Sequence, residues 1–249
     1  MLSVVIITFN EENNIRRCLA SVQEVADEIV VVDSGSTDAT ERICNEYGAR
    51  FIRHNWEGYS AQKNFANAQA ANDWVFSIDA DEEVDTELKA AILQRKKDGL
   101  SGAYAMDRLT NYCGKFLHHC WRPDIKIRIW NRNDGEWEGD IHEIIKFRNK
   151  PIINTLQGEL NHYTYHTVSE HIRQADKFSS LAAQKAFARG EKRKSACTIR
   201  CKTAWKFIRD YIFHLGLLDG YYGFVVCRIS AFATFLKYTK LNELHFAKK

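Results

Sequence analysis

The chain has 249 residues, 45% of them hydrophobic and 27% charged, with a formal net charge of +3. That is the composition of an ordinary folded protein, and the length supplies a full core for one large domain or for a domain with an appendage. The charge is unevenly spread: residues 1–170 carry 19 Lys and Arg against 27 Asp and Glu, a net of −8, whereas residues 171–249 carry 16 against 5, a net of +11. An acidic body with a basic tail suggests that the tail meets an anionic surface, such as a membrane or a nucleic acid.

Seven cysteines, an odd number with no paired C-x-x-C motifs, fit a reduced, intracellular setting. Cys113 and Cys120 bracket His118 and His119, but their spacing matches no common zinc site and reads as a packed loop. Met1-Leu2-Ser3 has no basic region ahead of its apolar run, so no signal peptide is expected.

Leu2 to Ile7 is a buried-strand pattern that stops at Thr8-Phe9-Asn10-Glu11-Glu12-Asn13. Ile15, Cys18, Leu19 and Val22 then recur at helical spacing. Glu28 to Asp33 is a second strand ending in an acid, and Ser34-Gly35-Ser36-Thr37-Asp38 supplies a turn and an N-cap for the helix around Ile43, Cys44 and Tyr47. Arg50–Arg53 reads as a short strand, Ser60–Ala71 as a helix, and Trp74–Ile78 as a fourth strand. That strand runs into Asp79-Ala80-Asp81-Glu82-Glu83, four carboxylates at its carboxyl end. Alternating strands and helices argue for a parallel sheet flanked by helices, whose carboxyl edge is where ligands sit. Acids one residue apart at such an edge suit a hard divalent cation that completes its shell with phosphate oxygens.

Asp85–Gly99 reads as a helix. Beyond it, Ala103–Met106, Lys126–Trp130 and Ile144–Phe147 look like strands joined by long polar loops, a smaller extension suited to a second substrate. Helical periodicity returns from Val168 to about Arg189, followed by a basic link to Lys194.

Taken together, Thr8-Phe9-Asn10-Glu11, Val31-Val32-Asp33-Ser34-Gly35-Ser36-Thr37-Asp38, Gln62-Lys63-Asn64 and Asp79-Ala80-Asp81 resemble the nucleotide-sugar half of a GT-A glycosyltransferase of family 2. Gly139-Asp140-Ile141-His142-Glu143, with Phe207–Tyr211 and Gly220–Phe224, resembles more narrowly the lipopolysaccharide core β-glucosyltransferases of Gram-negative bacteria. The resemblance implies an α/β, Rossmann-like GT-A fold over residues 1–166, with the nucleotide-sugar half at 1–99 and the acceptor half at 100–166. A basic amphipathic helical extension over 167–249 follows.

It also implies site roles. Thr8, Phe9, Asn10, Glu11 and Asp33 would hold the nucleoside of a UDP-sugar, although Ser34 stands where many relatives have a second acid. Lys63 would lie near the donor and Asn64 would brace the loop. Asp79 and Ala80 would border ribose or the donor sugar, and Asp81 with His162 would hold Mg²⁺ or Mn²⁺, His162 being preferred to His166. Glu143 is the expected base, with Asp140 second because it alternates onto the face of His142. The implied reaction is inverting transfer of a hexose, with UDP-glucose as the expected donor, onto a lipid-linked saccharide such as the lipopolysaccharide inner core. Another family 2 acceptor, in capsule, O-antigen or a protein-linked glycan, is the alternative. Arg122, Arg128 and Lys177, taken singly, read as solvated surface charges.

From Tyr211 to Leu236 only Asp219 and Arg228 interrupt the uncharged sequence, leaving runs shorter than the roughly eighteen residues of a spanning helix. Lys202, Lys206, Arg209, Lys237 and Lys240 flank it. This pattern fits a helix pair lying on an anionic bilayer, placing the protein in the cytoplasm and peripherally on the inner face of the bacterial inner membrane. A core-covering or dimer-forming hairpin is the competing reading. A nucleotidyltransferase lacks support, since no Gly-rich basic signature follows the first strand. A nucleic-acid binder would interleave its aromatics with Arg and Lys, which this tail does not do.

Overall fold

The computed structural model describes residues 1–139 and 143–247. These fall into two compact units, Met1–Leu109 with Pro123–Tyr163, and Thr110–Arg122 with Thr164–Lys249. The excursion Thr110–Arg122 groups with the C-terminal residues.

The first unit begins as the alternation requires: β1 (Leu2–Thr8), α1 (Ile15–Val22), β2 (Glu28–Asp33), α2 (Thr40–Glu46), β3 (Arg50–Arg53), α3 (Tyr59–Gln69) and β4 (Trp74–Asp79). A short strand β5 (Glu82–Val84) precedes α4 (Thr86–Asp98) and β6 (Ala103–Tyr112). After β7 (Lys115–Phe116) come β8 (Ile125–Asn131), β9 (Gly135–Glu138), β10 (Ile144–Phe147) and the long β11 (Ile153–Tyr165). The sheet order is β3-β2-β1-β4-β8-β6-β11-β5, while β9 and β10 form a separate antiparallel pair.

Strands β3, β2, β1 and β4 are parallel, and β8 adds to β4 antiparallel. The pleat sends alternate residues of β1 to opposite faces. Leu2, Val4 and Ile6 join Val31, Phe76 and Ile78 in a core that includes Leu19 of α1 and Leu88 and Ile92 of α4. Val5, Val30, Val32 and Val75 face the other way, with Ala66 of α3 and with Trp130 and Trp137. Apolar burial on both faces is why these strands read as continuous Val and Ile runs.

Among the described residues, the strands β5, β7, β9 and β11 escape the sequence pattern. Glu82 and Glu83 look like a charged stop, yet they open β5 because its partner β11 pairs Asn161 with Glu83 and His162 with Glu82. In β11 the buried Leu156 and Leu160 are four residues apart, a spacing that mimics a helix, and Gly158 breaks the alternation. The β9 strand Gly135–Glu138 is short and carries two acids, composition more typical of a turn.

In the second unit, α5 (Val168–Ala188) starts from a capping box in which Thr167 and Glu170 satisfy each other's backbone N–H groups. Ser195 caps α6 (Ala196–Ile208), which runs into a π-helical turn, Arg209–Phe213, and a 3₁₀ turn, Gly216–Asp219, before α7 (Gly220–Ala247). The buried Asp219 carboxylate accepts the backbone N–H groups of His118, His119 and Cys120 at 2.8, 3.1 and 2.7 Å. This carboxylate anchors the excursion that carries Cys120, whose Sγ lies 3.8 Å from that of Cys227. These N–H donors, with the His119 ring, keep Asp219 below its ordinary pKa although burial pushes it upward.

Gly158 sits at φ +92°, where a Cβ would meet the Leu88 backbone N at 2.1 Å and Asp85 Oδ1 at 2.7 Å. Asp85 Oδ1 caps α4 at the Leu88 N–H while Oδ2 accepts the N–H of Glu159, so the helix start and β11 share one carboxylate. Gly158→Ala is therefore expected to destabilise the protein by about 2 kcal/mol or more, measured by urea denaturation. A variant as stable as the parent would contradict this packing.

Candidate active site

Register sets the site. Parallel pairing places Thr8 opposite Asp33 and Ile7 opposite Asp79, so the ends of β1, β2 and β4 open at one edge of the sheet. The chain after β1 is laced to the chain after β2. Asn10, itself at φ +55°, donates its N–H to Ser36 Oγ at 2.7 Å, and its Oδ1 accepts from the Thr37 N–H at 2.9 Å. The Glu11 N–H reaches Thr40 Oγ1 at 2.9 Å.

Asp33 lies beneath this lacing and is only 1% exposed. Its Oδ2 accepts the N–H groups of Gly35 and Ser36 at 2.8 and 2.7 Å, and its Oδ1 accepts the hydroxyls of Thr8, at 3.1 Å, and Ser36. Both oxygens thus shape the loop from within. Phe9 projects from it, 58% exposed.

At the end of β4, Asp79 is gripped from two sides. Lys63 Nζ approaches Oδ1 at 2.9 Å and the Arg128 guanidinium approaches Oδ2 at 2.7 Å. Lys63 is nearly buried and also lies 4.7 Å over the Trp137 ring. Burial by itself raises the Asp79 pKa, but Arg128 and then Lys63 outweigh it and hold the carboxyl well below its usual range. Asp79 is therefore a fixed anion across the physiological range.

Arg128 is not the solvated surface charge that its sequence context suggests. It is 3% exposed and bridges Asp79 to Glu82, which is fully buried and also meets Arg108 at 3.3 Å. Arg128 sits between Ile127 and Ile129 in a strand that pairs with β4, and its burial follows from that long-range pairing, which the sequence does not display. Glu82 further accepts the Asp79 N–H at 3.0 Å, closing the turn around the buried Ala80.

Asp81 points elsewhere. Its Oδ2 lies 3.2 Å from His162 Nε2, and its backbone O accepts the Tyr163 N–H at 2.9 Å. Antiparallel pairing of β11 with β5 brings His162 to this point from far along the chain. Tyr163 donates its hydroxyl to Glu83 at 2.5 Å, and Arg17 stacks 3.3 Å above its ring. His166 gives its backbone N–H to Glu170 at the start of α5.

Asn64 of α3 exchanges two hydrogen bonds with the Trp137 backbone, at 2.9 and 2.8 Å, which is the loop-bracing position expected of it. Asp140 and His142 lie outside the described residues. Glu143 is half-buried, just ahead of β10.

Residues 3–166 match the Glycosyl transferase family 2 domain. The chain belongs to that family. An uncharacterized glycosyltransferase of Rickettsia typhi is 34% identical across 98% of this chain and 87% of its own length. The lipopolysaccharide core biosynthesis glycosyltransferase LpsC of Rhizobium meliloti is 31% identical, across 99% of this chain and 94% of its own. The crystal structure of S. aureus TarS 1-349 aligns over 99% of this chain and 91% of that one, with a TM-score of 0.48 and 14% identity. This glycosyltransferase has the α/β, GT-A-like fold: a mixed sheet flanked by helices, with a long C-terminal helix.

The transferase concentrates negative charge at this edge. Burial first, and then Asp81, Asp38 and Asp79, raise the Glu11 pKa, partly offset by the hydrogen bond from Asn14. A carboxyl whose folded pKa is raised contributes stability at low pH and loses it as pH climbs through the folded value. Glu11→Gln should therefore raise the Tm at about pH 7.5, with the gain shrinking toward about pH 4 as the parent residue protonates. An equal gain at both pH values, or none, would contradict the crowding of carboxylates described here.

Proposed function

We propose that this family 2 glycosyltransferase moves a hexose, with inversion, from UDP-glucose to a saccharide carried on a lipid, in the first place the lipopolysaccharide inner core. The observation that carries the reading is the split use of neighbouring acids at the sheet edge: Asp79 locked by Lys63 and Arg128, Asp81 turned toward His162. The relative named for lipopolysaccharide core biosynthesis, matched along nearly its whole length, supports the acceptor class.

The donor set fits Mg²⁺ or Mn²⁺. Asp81 offers a carboxylate and His162 an imidazole, converging within 3.2 Å, and among the described residues no group of three or more His, Cys, Asp or Glu side chains is placed to hold a metal. A sparse protein contribution is what a hard cation needs when substrate phosphates complete its shell. Bound there, the ion would neutralise charge developing on the departing diphosphate.

The remaining tasks fall to this chain's own side chains. Phe9, Asn10 and Glu11, on the loop that Thr8 and Asp33 shape, receive the nucleoside. Asp79, ionised and immobile, accepts hydrogen bonds from ribose or donor-sugar hydroxyls next to the Lys63 ammonium. Glu143 takes the proton from the acceptor hydroxyl as that oxygen attacks the anomeric carbon from the face opposite the diphosphate. Asp140, the second candidate for this role, belongs to the segment outside the described residues.

The second unit supports membrane contact. No single helix of the described residues is long and apolar enough to cross a bilayer; Ala196–Phe213 and Gly216–Ala247 form a pair bent by 72°. Around the bend Trp205, Phe213, Leu218 and Tyr221 are all more than half exposed, with Arg209 among them and Lys202 and Arg228 flanking them in the sequence. Apolar side chains sink into the interface while cations meet anionic headgroups. We place the enzyme peripherally on the cytoplasmic face of the bacterial inner membrane, where a lipid-borne acceptor is reached by a two-dimensional search.

Two experiments test these assignments. In thermal-shift titrations, UDP should stabilise the parent chain more with Mn²⁺ than without, because a ligand bound only by the folded state raises the Tm. Asp81→Ala should erase the Mn²⁺ dependence and Glu143→Gln should keep it while transfer is lost; full Mn²⁺-dependent turnover by Asp81→Ala would remove the metal role. In flotation assays the chain should float with vesicles containing anionic lipid at low salt and detach in part at high salt. Failure to float at any salt concentration would exclude membrane contact.

A further inference from the structure

The start of α3 carries a feature that the assigned roles do not use. Trp56 and Tyr59 are each 49% exposed, and their rings meet edge to face, 4.7 Å apart at 87°. Gly58 between them sits at φ +106° with open space where a Cβ would be, and lets the chain turn from the tryptophan into the helix.

Helix geometry fixes where this pair stands. Tyr59 and Lys63 are four residues apart, on one face, and Lys63 Nζ holds Asp79. Tyr59 therefore lies about 6 Å farther along the axis toward the start of the helix, at the rim above that ion pair. The same helix fastens the chain leading to the expected base: Ser60 Oγ donates to the Gly139 carbonyl at 2.5 Å, and Asn64 holds both backbone groups of Trp137.

We propose that Trp56 and Tyr59 form a stacking platform for a pyranose ring of the acceptor saccharide, set beside Glu143. The proposal rests on the glycosyl-transfer reading above. A pyranose has apolar C–H faces and a polar rim, so a half-exposed aromatic surface next to hydrogen-bonding groups recognises it without burying unpaired hydroxyls. The edge-to-face pair holds both rings in place before binding, so little side-chain freedom is lost when the sugar arrives. The Ser60 hydrogen bond to Gly139, on the chain that leads to Glu143, favours acceptor over donor. A base must lie within hydrogen-bond reach of the incoming hydroxyl, so a ring resting beside Glu143 presents that hydroxyl to it. The diphosphate end of the donor belongs at Asp81 and His162.

Steady-state UDP release by the full chain, with UDP-glucose and deacylated lipopolysaccharide core oligosaccharide as the acceptor probe, separates the outcomes. Trp56→Ala and Tyr59→Ala should each raise the acceptor KM about tenfold or more, with the donor KM moving less than about twofold, and Tyr59→Phe should retain most acceptor affinity because the ring face remains. An increase confined to the donor KM would assign the platform to the donor sugar and overturn the proposal, as would unchanged acceptor KM values in both alanine variants. If the unsubstituted chain neither binds UDP in thermal shift nor releases it from UDP-glucose, the glycosyl-transfer reading fails and the platform fails with it. The alanine variants should keep the parental Tm, which separates a lost platform from a lost fold.

Discussion

The Arg128 guanidinium, buried between the carboxylates of Asp79 and Glu82, is the interaction on which the site depends. Three charged groups taken out of water are costly unless each finds a partner, and removing one partner of such a set leaves the others uncompensated at a cost of about 3–5 kcal/mol. Here the partners interlock: Glu82 also binds Arg108 and the Asp79 N–H, and Asp79 also binds Lys63. The turn between β4 and β5 can adopt only the geometry that satisfies all of them. That turn is what sends Asp79 inward and Asp81 toward His162.

Two neighbouring acids therefore do different work because their surroundings differ. Asp79 is electrostatically saturated and rigid, suited to hydrogen-bonding a sugar hydroxyl in one orientation. Asp81 keeps a less committed carboxylate, opposite an imidazole and near the crowded Glu11. On the proposed reading, a divalent cation carried in with a diphosphate suits the carboxylates gathered there.

Several readings of individual residues changed with the fold, for local physical reasons. Arg128 looked like a surface charge because a single strand does not reveal what lies beside it; burial came from β4 and from Glu82 together. Glu82 and Glu83 stood in a run of acids beyond β4 but form a strand, since the unforeseen β11 supplies backbone partners. Asp33, expected at the nucleoside, also ties its own loop together through hydrogen bonds from Thr8, Gly35 and Ser36.

The sequence by itself determined the parallel half of the sheet, the order of its helices and the arrival of acids at one edge. Those features rest on local periodicity and on strand ends marked by polar residues, which any short window contains. The tertiary structure alone decided that His162 stands at Asp81, that Arg128 is buried against Asp79, and that the start of α3 holds the chain at Trp137 and Gly139. Each of these depends on antiparallel pairing or helix packing between segments far apart in the chain, and contacts closed over such distances leave no periodic trace in the residues that make them.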